Sequence, residues 1–161
     1  MEMDAIVKNF ISLFFATFLV AHQTTFSQDD EFGTKAEALE ILERTVNLVK
    51  SNKTVAFTMI TAGGVGGLAF KDLYPFCWDL NGIQLAHPFI AGTDAKQFVS
   101  SDGKKIFEII SKNVKEGKIS EISFMFGRPT KNGSLSTKEY PKTIFYTLVG
   151  NYICGSGYYP K

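Results

Sequence analysis

Histidine and cysteine are scarce in this chain: of 161 residues, two are His and two are Cys. The histidines are His22, just after an N-terminal apolar run, and His87, so no group has the spacing of a metal site. A hydrolytic centre also has little to draw on, because one usable histidine stands without an ordered Ser or Asp constellation. The expectation is a chain without catalysis, metal or cofactor. Blocks of one charge are absent as well. The 17 basic and 16 acidic residues are mixed along the chain, leaving a net charge of +1 and no Lys/Arg row to neutralise phosphates. Nucleic acid is therefore excluded as a partner. No internal repeat or low-complexity tract occurs, and the apolar run Phe10 to Ala21 falls short of the roughly 20 residues that a bilayer span requires.

That run has the length of a signal-peptide core, and the polar "HQTTFSQ" after it reads as a cleavage region. The preceding "MEMDAIVKN" lacks the usual positive start, since Glu2 and Asp4 outnumber Lys8, and an uncleaved buried helix is the alternative. The expected division is a leader over 1–28, cleaved near Gln28, and one domain over 29–161. The domain would then work in the periplasm or outside the cell. Cys77 and Cys154 are compatible with one disulfide in such a compartment. Both lie in apolar strand-like runs, however, where a free buried thiol behaves as a small hydrophobe, and two unlinked thiols are expected.

What the chain does have is aromatic residues, 14% of the total, with 15 Phe, 6 Tyr and a single Trp. They suit a sheet with a lined cavity. "EFGTKAEALEILERTVNLVKSN" carries Thr34 and Glu37 at capping-box spacing, then Leu39, Leu42, Val46 and Val49 at helical intervals. This stripe packs on a sheet or seats a homodimer partner. "TVAFTMIT" is helix or strand by periodicity alone, and "AGGVGGLA" after it matches the G-x-G-x-x-A spacing of a dinucleotide turn. Such a turn needs a strand before and a helix after. Here Pro75 and the alternating "LYPFCW" follow, so the glycines are expected to end a helix and lead into a strand.

"LYPFCWDL", turning at Asn81-Gly82 into "IQLAHP", predicts a hairpin. "SSDGKKIFEIISKNVKEG" predicts a second amphipathic helix, with Ser or Asp as cap and Gly117 at its end. Three strand-like runs follow, the last two joined at Gly150-Asn151. Segregated helices and strands imply an α+β domain with a mainly antiparallel sheet.

From Lys35 onward the order of short motifs resembles the single Cache domain, a PAS-like extracytoplasmic sensor of small molecules. The residues that carry the likeness are Ala56-Phe57, Asp72-Leu73-Tyr74-Pro75-Phe76, Asp79-Leu80-Asn81-Gly82, Leu85-Ala86-His87-Pro88, Asp102-Gly103-Lys104, Lys142 and Gly155-Ser156-Gly157-Tyr158-Tyr159. Where the family usually has a G-W-V-x-Y-x-W-like run, this chain has "EISFMFGRP". The resemblance implies a five-stranded, mainly antiparallel sheet with the long N-terminal helix on one face. On the other, under "HPFIAGTDAKQFVSSDG", it implies a ligand pocket for small carboxylates, amino acids or amines. A separate membrane receptor or kinase would then carry the signal onward.

Strand alternation puts Tyr74, Phe76 and Trp78 on one face, where Tyr74 and Trp78 would be stiff walls with a polar tip each. His87 offers an N–H donor. Lys142 is the candidate charge for an acid, because a carboxylate entering a small pocket loses water that a charged hydrogen bond replaces. Arg128 is a further candidate. Tyr74, Trp78 and Phe124 would serve a quaternary amine as an aromatic cage instead. Against these stand a core Trp78, a structural His87, a solvated Lys142, and a pocket filled by the protein's own side chains.

Overall fold

The computed structural model describes residues 31–161. The expected leader over 1–28 and its cleavage site lie outside the described residues. Helix α1, Lys35–Thr61, begins with the capping box the sequence predicts: Thr34 accepts from the Glu37 backbone N–H, and the Glu37 carboxylate accepts from that of Thr34. The helix breaks once, at Asn52 (φ −155°, ψ 94°). There the Asn52 side chain accepts from the Val55 N–H at 3.1 Å, capping the second segment as an N-cap residue does. "TVAFTMIT" is thus helical, and the two expected helices are two halves of one bent element.

The glycines after α1 end it. The Gly64 N–H reaches back to the carbonyls of Met59 and Ile60, both at 3.0 Å, and Gly63, Gly64, Gly66 and Gly67 all have positive φ. No helix opens after them; the chain runs to strand β1, Tyr74–Asp79. The nucleotide-like spacing is a helix terminus.

Strands β1, β2 (Gln84–Ala86), β3 (Ser120–Pro129), β4 (Leu135–Val149) and β5 (Tyr152–Tyr158) form one antiparallel sheet in the order β2-β1-β5-β4-β3. The β1–β2 hairpin turns at Asn81-Gly82, held by the Asp79 carboxylate, which accepts from the N–H groups of Asn81 (2.9 Å) and Ile83 (2.8 Å). Cys77 pairs with Ala86 and Trp78 with Gln84, so Leu85 is one extra residue on β2. This bulge lets both Ala86 and Gln84 point inward, on opposite faces of the sheet.

On one face of the sheet, Ala38, Ile41, Leu42, Val49, Ala56 and Ile60 of α1 are buried in two apolar clusters. The stripe Leu39, Leu42, Val46 and Val49, considered above for dimerisation, packs into these clusters within the chain. The same face overturns the expectation of unlinked thiols. Cys77 on β1 lies directly opposite Cys154 on β5, with Cα atoms 4.1 Å apart, and the two form a disulfide. Each cysteine sits in an apolar run because the bridge itself is buried under the helix.

The second helix, α2, spans Ile106–Asn113 and packs Ile106, Phe107 and Ile110 against the opposite face. It is shorter than the sequence predicts. Ser100 and Asp102 close the turn before it and do not cap it. It ends when Val114 turns extended, three residues before Gly117.

Candidate functional site

Between the sheet and the segment 87–98 lies a cavity of about 300 Å³. Its floor comes from alternate residues of three strands of the sheet: Phe76 and Trp78 of β1 and, across β5, Lys142 and Ile144 of β4 and Phe124 and Phe126 of β3. A glycine keeps the floor level. A Cβ at Gly155 of β5 would lie 2.4 Å from the Phe76 ring, so only glycine lets that ring lie flat across the strand. The roof comes from the loop and 3-10 helix (Ala95–Gln97) that follow β2, through His87, Ile90, Thr93, Asp94, Gln97 and Phe98. Ile106 at the start of α2 closes one side.

Lys142 is 3% exposed, not solvated. Its Nζ donates to the Tyr74 hydroxyl at 2.6 Å and stands 3.9 Å from the centre of the Tyr74 ring, with the rings of Phe126 and Tyr159 each at 5.1 Å. Among the described residues no carboxylate pairs with it directly. Burial pushes its pKa from 10.5 down to about 7, against a smaller opposing pull from the negative charge of Asp72.

His87 is fixed in one tautomer. Its Nδ1 accepts from the backbone N–H groups of Phe89 (3.0 Å) and Ile90 (3.3 Å), so the ring proton sits on Nε2. Burial, and then the charge of Lys142, lower its pKa to about 3. Near pH 6 it is a neutral donor beside a cation.

The structure places the other expected site residues unevenly. Trp78 and Phe124 line the cavity. Tyr74 lies beneath it, edge-on to His87 with ring centres 5.0 Å apart, and its hydroxyl is engaged by Lys142. The polar tip of Trp78 is also occupied, because its indole N–H donates to the Gln84 side-chain oxygen. Gln84 in turn donates to the Ala86 carbonyl at 3.0 Å. Trp78 thus presents a ring face without a hydrogen-bonding tip. Arg128 stands outside the cavity. Its Nε is 3.3 Å from the Asp72 carboxylate, and its guanidinium is packed among Phe32 (4.1 Å), Tyr140 and Tyr159 (both 4.7 Å).

Several lining residues were not singled out from sequence. Phe126 and Ile144 were legible in principle, each two positions from a predicted site residue on the same strand face. Ile90, Asp94 and Phe98 lie in irregular backbone, where no period marks an inward residue.

The family model of the single Cache domain 2 matches residues 7–148 of this chain. The chain belongs to the single Cache domain family. Two solved structures share its fold. One is a periplasmic sensor domain of a chemotaxis protein, with a TM-score of 0.57 and 19% identity, covering 78% of this chain and 90% of that one. The other is a Cache chemosensory domain described for carboxylic acid recognition, with a TM-score of 0.51 and 19% identity, covering 76% and 85%. No curated protein matches the chain. Cache domains are non-catalytic, extracytoplasmic ligand sensors, and this one has the α+β, PAS-like architecture the resemblance implies: a long N-terminal helix on a five-stranded antiparallel sheet. No helix among the described residues is long and apolar enough to cross a membrane.

Proposed function

We propose that this Cache domain binds a small organic acid in the cavity beneath the 87–98 segment. The acid's carboxylate would rest on Lys142 and the Nε2–H of His87. The observation that carries this reading is a buried ammonium on a residue that lines the hollow, with a neutral phenol as its hydrogen-bond partner and no direct carboxylate among the described residues. An incoming carboxylate supplies the missing counter-charge, and both partners then leave water with their hydrogen bonds replaced. His87 adds a donor without adding charge, because its Nδ1 is committed to the backbone.

The same geometry weighs against an amine in an aromatic cage. The face of Tyr74 that a quaternary ammonium would use is already covered by the Lys142 ammonium, and a second cation there meets like charge. A site outside the cytoplasm agrees with the Cys77–Cys154 disulfide, since such bonds persist in oxidising compartments. The acid-recognising Cache domain that shares the fold is a parallel for the ligand class.

Calorimetric titration of short carboxylic acids at about pH 6, where Lys142 carries its proton, tests the reading. Lys142→Met should abolish acid binding while keeping or raising the melting temperature, because replacing a buried charge by an apolar side chain removes a desolvation penalty. Acid binding that survives this substitution would refute the assignment of the carboxylate to Lys142.

A further inference from the structure

Beyond Lys142 and His87 the cavity wall is largely hydrocarbon, with Gln84, Thr93, Asp94 and Gln97 as its other polar residues. Phe76, Trp78, Phe98, Phe124 and Phe126 wall it; three of the rings meet at steep angles, Phe98 and Phe126 at 79°, Phe98 and Phe124 at 68°, Phe124 and Phe126 at 72°, while Phe76 and Trp78 are tilted at 41°. Such an edge-to-face box leaves ring faces open to a flat guest, the geometry aromatic pairs prefer. A cavity of about 300 Å³ is far larger than a two-carbon acid fills, and unfilled apolar space forfeits contacts that a larger body would make. Polar functions are few. The Gln84 side chain is tied to Trp78 and Ala86, and the Thr93 hydroxyl donates to the Ile90 carbonyl at 2.8 Å. Asp94 is the acidic residue of the lining.

Resting on the acid-binding reading above, we propose that the ligand class is a monocarboxylic acid with a planar aromatic body, of the size of phenylacetate or 3-phenylpropionate. The carboxylate meets Lys142 and the ring lies in the box of Phe98, Phe124 and Trp78. A dicarboxylate is disfavoured because its second charge finds no second cation in the lining, only hydrocarbon, neutral amides and the like charge of Asp94. An α-amino acid is disfavoured because its ammonium sits next to the carboxylate and therefore beside Lys142.

Trp78 makes the test direct. It is the chain's single tryptophan and lines the cavity, so its emission reports occupancy of this site. Emission titrations at about pH 6 with acetate, propionate, phenylacetate, 3-phenylpropionate, succinate and phenylalanine should rank the aryl acids first. Burying a phenyl ring at the usual value per area gives phenylacetate on the order of 50-fold tighter binding than acetate. Phe98→Ala, a change in a half-buried loop residue, should weaken phenylacetate about 10-fold and leave acetate within about twofold, since it removes only ring contact. Acetate or succinate binding as tightly as phenylacetate, or phenylalanine binding more tightly than 3-phenylpropionate, would overturn the aryl-acid class and leave the acid reading standing. Absence of binding by every acid in the set would overturn both.

Discussion

At the scale of the residue, Lys142 and His87 face the cavity and respond to pH in different regions. Lys142 has a folded-state pKa of about 7 against 10.5 when unfolded. Between those values the unfolded chain binds more protons than the folded one, so the empty protein gains stability as pH rises from about 7 toward 10.5. The rise should vanish in Lys142→Met, and urea titrations of both proteins across this window would measure it. Acid affinity runs the other way, because a carboxylate selects the ammonium. With a site titrating near 7 when empty, binding should weaken about 50-fold from about pH 7 to about pH 9. Isothermal titration in buffers of different ionisation enthalpy should show proton uptake on binding, and a flat pH profile would be incompatible with a carboxylate on Lys142. His87, lowered from 6.5 to about 3, contributes stability that is present above 6.5 and lost as pH falls toward 3. Replacing it with Gln should flatten that acid limb of the stability curve.

At the scale of the element, three tertiary ties hold the site's frame. The Cys77–Cys154 bridge staples β1 to β5 across a sequence separation of 77 residues. A loop of that length corresponds to about 4 kcal/mol of lost unfolded-state entropy. The Cys77→Ala/Cys154→Ala protein should therefore unfold at a clearly lower urea concentration. The second tie is Asp72, whose carboxylate accepts from the Gly33 N–H at 2.7 Å on one side and faces Arg128 on the other. Removing the cation would leave Asp72 buried and unpaired. Arg128→Met should cost about 3 kcal/mol in thermal or urea unfolding, with acid affinity in the folded protein changed little because Arg128 lies outside the cavity. A loss of binding without loss of stability would instead place Arg128 in ligand recognition. The third tie is the Tyr159 hydroxyl, which donates to the Gly127 carbonyl at 2.5 Å and fixes the end of β5 against β3.

At the scale of the whole molecule, the sheet divides a sealed face from a hollow one. The α1 face is closed by aliphatic packing and a disulfide; the other carries the aromatic box. Gly155 separates the two roles, because any side chain there would drive the Phe76 ring upward. Gly155→Ala should reduce the space for a ligand and weaken aryl acids more than acetate, by the same emission titration. Much of this layout was legible in advance. The capping box, the Asn81-Gly82 hairpin and the alternation of β1 each depend on residues a few positions apart, which a sequence displays directly. The bend at Asn52 was half legible, as two helical patterns without a visible joint. The late start and early end of α2 were not, because Ser100 and Asp102 suit a turn as well as a cap, and packing chose the turn.

The sequence by itself determined which residues share a face, where the long helix begins, and that one lysine and one histidine fall among aromatic strands, because these follow from periods of two and 3.6 residues and from local capping. Only the tertiary structure decided that Cys77 meets Cys154, that Arg128 answers Asp72 and leaves the cavity, and that the Lys142 ammonium is stripped of water beside a hollow. Strand register pairs residues far apart in the chain, and desolvation is set by whatever the fold stacks around a group, so neither can be read from a residue's neighbours in sequence.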